Sequence, residues 1–81
     1  MIRRRQTMTK STEQEVKAAI NTILSDKKAY ATSLNYAVNY CKAALAMSGY
    51  NLSVQIPYIL NNISHWRHPE AKNVRMVLKN F

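Results

Sequence analysis

The chain has 81 residues and a formal net charge of +8, twelve Lys and Arg standing against four Asp and Glu. At this length one domain buries only about 60–65 % of its unfolded surface, which argues against a large enclosed cofactor pocket. One Gly and two Pro leave little material for hairpins, and a single Cys excludes an internal disulfide.

Residues 1–10 show no hydrophobic periodicity and are expected to form a disordered basic tail, in which Arg3, Arg4, Arg5 and Lys10 supply half of the net charge. No apolar run follows the arginines, so the start does not read as a secretory signal. No stretch approaches the roughly 18–20 apolar residues of a membrane span, and a cytoplasmic location is expected.

Residues 11–81 are expected to form a single four-helix domain. Thr12 and Glu15 have capping-box spacing, with Ser11 and Gln14 as the competing register, and Val16, Ala19, Ile20, Ile23 and Leu24 form one stripe. This predicts a first helix over 12–24. Ser25–Asp26 reads as both its break and the cap of the next helix.

The second helix is predicted over 27–48 and is the expected centre of the fold. Tyr30, Leu34, Ala37, Val38, Cys41 and Leu45 share one face, and Tyr36, Tyr40, Ala43 and Met47 form a second apolar edge. Leu34, Val38, Cys41 and Leu45 should be nearly fully buried. Gly49 suits a left-handed residue just past the helix end.

Ser53 reads as the cap of a third helix over 54–66, with Pro57 awkwardly placed at the fourth position. Leu52, Ile56, Ile59, Leu60, Ile63 and Trp66 gather on its inner face. Trp66 should plug the core, its indole N–H reaching a backbone carbonyl in the following turn. Arg67–His68–Pro69 breaks the pattern, and Ala71, Val74, Val77, Leu78 and Phe81 predict a fourth helix over 69–80. The expected class is all-α, a compact small domain of four short-to-medium helices in an orthogonal or bundle-like array. With the last stripe ending at Phe81, the chain also reads as a fragment or trimmed domain.

Chemistry is sparse in this pattern. Glu13, Glu15, Asp26 and Glu70 are not paired for acid–base work, and His65 and His68 straddle a helix break. Cys41 lies on an apolar face, too few ligands exist for zinc, and no hydroxyl has a base beside it. A non-catalytic protein without metal or small-molecule cofactor is expected.

The basic residues carry more information. Lys72, Arg75 and Lys79 share the outer face of the fourth helix, with Arg67 and His68 just before it. The row is roughly 15 Å long at about 1.5 Å per residue and holds no acid on that face. Together with Arg3, Arg4 and Arg5 it suits the phosphates of DNA or RNA.

On the third helix, Tyr58, Asn61, Asn62 and His65 form a face that suits base stacking or a polar protein interface. Tyr36, Tyr40 and Met47 offer an edge on which a second copy can dock, making a homodimer. Two function classes therefore stand: a nucleic-acid-binding module, and a protein-interaction or structural adaptor domain with no nucleic-acid role.

Overall fold

Helix α1 (Glu13–Ser25) starts where the capping pattern places it. In this computed structural model, which describes residues 10–81, the Thr12 hydroxyl accepts the Glu15 N–H at 3.1 Å, and a Glu15 carboxylate oxygen accepts the Thr12 N–H at 2.8 Å. The arginines Arg3, Arg4 and Arg5 lie outside the described residues. Ser11 is not a competing cap. It ties the two chain ends together, its N–H donating to the Asn80 carbonyl at 2.9 Å and its hydroxyl to the Val77 carbonyl at 2.7 Å.

Three further helices follow: α2 (Ala37–Ala44), α3 (Gly49–Asn62) and α4 (Ala71–Lys79). The described residues contain no strand, so the class is all-α. Helix α1 packs against α2 and α4, and α2 packs against α3, while α3 and α4 touch more sparingly. Ser11 meets the end of α4 and Asp26 meets Trp66 before its start, so α1 and α4 run antiparallel. Gln55 of α3 donates to the Tyr40 carbonyl of α2 at 3.0 Å. Val16, Ile20, Ile23, Leu34, Leu52, Ile59, Ile63, Trp66, Val74 and Leu78 fill the core, which holds no buried polar residue among those described.

The predicted long central helix is replaced by something more broken. Lys27–Ala29 forms one 3₁₀ turn, residues 30–36 form successive turns, and only Ala37–Ala44 is α-helical. The Tyr30 hydroxyl donates to the Leu24 carbonyl, and the Thr32 hydroxyl donates to the Ala29 carbonyl. Thr32, Ser33 and Asn35 are residues whose side chains compete with helical backbone bonding. Apolar spacing alone does not register that competition. Leu34, Val38 and Cys41 are buried as expected, but Leu45 is only half-buried.

Other boundaries move as well: α4 begins at Ala71, with Pro69 in the preceding turn and not at the first helical position. Helix α3 begins at Gly49, whose φ of +55° turns the chain into the helix after the extended Ser48. Ser53 is therefore interior and not a cap, its hydroxyl donating to the Tyr50 carbonyl at 2.7 Å. Pro57 also lies inside α3, where it leaves the carbonyl of the exposed Ser53 without its helical N–H donor. At the far end α3 stops at Asn62, four residues before the predicted end, so Trp66 stands in the connection and not on the helix.

Truncating a fully buried side chain leaves a cavity as well as lost transfer energy. Leu34→Ala should cost about 2–5 kcal/mol, and Leu45→Ala roughly half as much or less, as read from urea unfolding. Equal losses at the two sites would mean that the 30–36 turns do not hold Leu34 in the core.

Candidate functional site

Trp66 is 1 % exposed, and each of its polar groups has a partner. Its indole N–H donates to an Asp26 carboxylate oxygen at 2.8 Å, not to a backbone carbonyl of the following turn. Asp26 in turn makes no side-chain cap on the 3₁₀ turn, and Ser25 donates back to the Thr22 carbonyl at 2.7 Å. The Trp66 carbonyl accepts from Arg75 Nη2 at 2.9 Å, and the same nitrogen donates to the Ile63 carbonyl at 3.0 Å. Arg75 thus supplies the donor for the Trp66 carbonyl and a second donor for the Ile63 carbonyl, which also accepts the Trp66 N–H at 3.1 Å. One residue gathers the end of α1, the end of α3 and the first turns of α4.

His68 completes this arrangement. Its ring stacks on Trp66 with centroids 5.1 Å apart and planes inclined by 21°. Nδ1 of His68 accepts the Glu70 N–H at 3.0 Å, so in the neutral ring the proton resides on Nε2 as a donor.

Beside the clasp lies an open groove of about 470 Å³, lined by Ser64, His65, Trp66, Arg67, His68, Ala71, Lys72 and Arg75. No carboxylate lines it. Glu13 and Glu15 stand at the opposite end of α1, the Asp26 carboxylate is engaged by Trp66, and Glu70 is exposed beside the groove without lining it. Of the basic row read from the sequence, Arg67, His68, Lys72 and Arg75 therefore come together. Lys79 does not join them. It lines a separate apolar groove with Ile56, Pro57, Leu60, Leu78 and Phe81.

A second groove, of about 290 Å³, adjoins the first and is lined by Thr32, Ser33, Asn35, Tyr36, Asn61, Asn62, Ser64 and His65. Three residues named for an interface, Tyr36, Asn62 and His65, meet here. Tyr40 and Tyr58 stack on each other nearby, with centroids 5.6 Å apart and planes inclined by 15°. Asn62 donates to the Tyr58 carbonyl at 2.7 Å. Met47 behaves differently: it is half-buried and packs against the core.

The remaining reactive group is silent. Burial pushes the Cys41 thiol up to about 12, so it stays protonated and unreactive near neutrality. Among the described residues no group of three or more His, Cys, Asp or Glu is placed to hold a metal ion, and no helix is long and apolar enough to cross a membrane.

Sequence reasoning missed the Asp26–Trp66 bond, the capping role of Arg75 and the contribution of Thr32–Asn35 to a groove. The signal available was a chemical debt: a buried tryptophan needs an acceptor, and a helix end without glycine needs a donor for its carbonyls. Comparison with protein-family models, with curated proteins and with solved structures finds no match for this chain.

Replacing Asp26 with Ala leaves a buried indole N–H without an acceptor and should cost about 1–3 kcal/mol. Asp26→Asn keeps an acceptor oxygen and should recover much of that loss. Denaturant unfolding followed by Trp66 fluorescence measures both, and an unchanged Asp26→Ala midpoint would remove the bond from the account of stability.

Proposed function

We propose that this small all-helical domain is a non-catalytic nucleic-acid-binding module that grips phosphates at the end of the domain built around Trp66. The observation that carries the reading is the groove lined by Arg67, Lys72 and Arg75 with no acid among its walls. Lys27 and Lys28, exposed on the 3₁₀ turn next to Asp26, add positive charge near the same end. In this reading Arg67 and Lys72 contact phosphate oxygens directly, and the His68 Nε2–H is a neutral donor beside them. Arg75 has a double role, holding the two carbonyls while part of its guanidinium faces the groove. Arg3, Arg4 and Arg5 are further cations that this reading assigns to phosphate contact. Contacts of this kind give affinity and orientation with little sequence discrimination.

The salt dependence of binding tests this. Affinity for a duplex should fall with a log–log slope of about −0.9 per neutralised phosphate, and a double Arg67→Gln, Lys72→Gln change should flatten that slope by about one to two. Lys79→Gln should change it far less. Arg75 is kept intact, because its loss would unpair the Trp66 carbonyl and take one of two donors from the Ile63 carbonyl. Dissociation constants weaker than about 100 µM at low salt for both DNA and RNA would overturn the proposal.

A second reading is favoured by a different surface. Tyr36, just before α2, and Tyr40, Tyr50, Val54 and Tyr58 on α2 and α3 are exposed and bring no charge, a composition suited to a protein interface or a homodimer. In that case light scattering should report a mass of two chains that Tyr40→Glu returns to one. A single-chain mass from micromolar to millimolar concentration excludes the homodimer.

A further inference from the structure

The two grooves at the end of α3 are neighbours, and Ser64 and His65 wall both. On one side of that turn stand Arg67, Lys72 and Arg75. On the other stand Tyr36, Asn61 and Asn62, with no Lys, Arg, Asp or Glu in the lining. Such a surface asks for a ligand that is anionic along one part and uncharged, planar and rich in hydrogen-bonding edges along the next. A polynucleotide strand with unpaired bases has that alternation built in.

We propose that the ligand is single-stranded nucleic acid, with phosphates in the Arg67–Lys72 groove and a base in the Tyr36–Asn61–Asn62 groove. This rests on the phosphate-binding reading above and deepens it. The phenol of Tyr36 is 72 % exposed, whereas Tyr40 and Tyr58 already stack on each other, so Tyr36 is the ring available to a base. The Asn62 amide is oriented by its bond to the Tyr58 carbonyl, which leaves Oδ1 as an acceptor, and Asn61 and Asn35 are exposed. Amides supply both donors and acceptors to a base edge. A duplex meets this surface poorly. Its bases hide their faces in the stack and their pairing edges inside the helix, and a recess between the 32–36 turns and the end of α3 admits a splayed base and not a stacked pair.

The test uses the full chain and fluorescence anisotropy with three labelled probes: a short mixed-sequence strand, the same strand annealed to its complement, and an abasic strand of equal length. The intact strand should bind about five-fold or more tightly than either the abasic strand or the duplex, the worth of stacking one base on an aromatic ring. Tyr36→Ala and Asn61→Ala, both at exposed positions, should each bring the intact strand toward the abasic affinity while leaving abasic binding and its salt slope unchanged. Equal binding of intact and abasic strands, or tighter binding of the duplex, overturns the seated base while the phosphate reading stands. Binding of an acidic peptide with no measurable affinity for any of the three probes overturns both.

Discussion

The burial of Trp66 is the constraint on which the rest of this small domain depends. A side chain this large fills the space where α1, α3 and α4 converge, but it brings a donor that a purely apolar core cannot satisfy. Asp26 answers the indole, Arg75 answers the carbonyl, and His68 covers the ring. These partners come from three different stretches of chain. The Asp26 and Arg75 contacts are therefore tertiary staples as well as hydrogen bonds, and with the local His68 stack they set where the end of α3 lies relative to the start of α4.

That placement organises the charge. With the Asp26 carboxylate turned to the indole and Glu13 and Glu15 used in the first turn of α1, Glu70 is the acid left exposed beside the groove. The cations Arg67 and Lys72 therefore face solvent without a lining carboxylate to offset them. Cations that line a concave surface attract anions more strongly than the same charges scattered over a convex one. Arg75 links the two themes, since the guanidinium that closes off α3 also borders the groove. Stability and binding surface are built from the same few atoms.

The opposite end of the domain is organised by the chain termini of the fold. Ser11 bonds to carbonyls of Val77 and Asn80, so the capping box at Thr12 sits directly against the end of α4. The two antiparallel helices are thus pinned at both ends, by Ser11 at one and by Asp26 and Trp66 at the other. Leu34 of the 30–36 turns and helices α2 and α3, through Val38, Cys41, Leu52, Ile56 and Ile59, complete the domain, and the helices leave their tyrosine-bearing faces outward.

The sequence by itself determined the class, the number of helices and most of the core. Those properties follow from local periodicity and capping chemistry, as at Thr12–Glu15 and in the stripes of α1 and α4, which depend on residues only three or four positions apart. It also marked Arg67, His68, Lys72 and Arg75 as a basic group, because they share one helix face and its approach. Tertiary structure decided everything that required distant partners. The length of α2 turned on the Tyr30 bond to Leu24 and on the hydroxyls of the 30–36 turns, and the end of α3 turned on a donor twelve residues away. The separation of Lys79 from its row, and the meeting of Tyr36 in the 30–36 turns with Asn61 and Asn62 at the end of α3, have the same origin. Periodicity says which way a side chain faces, and only packing says what it faces.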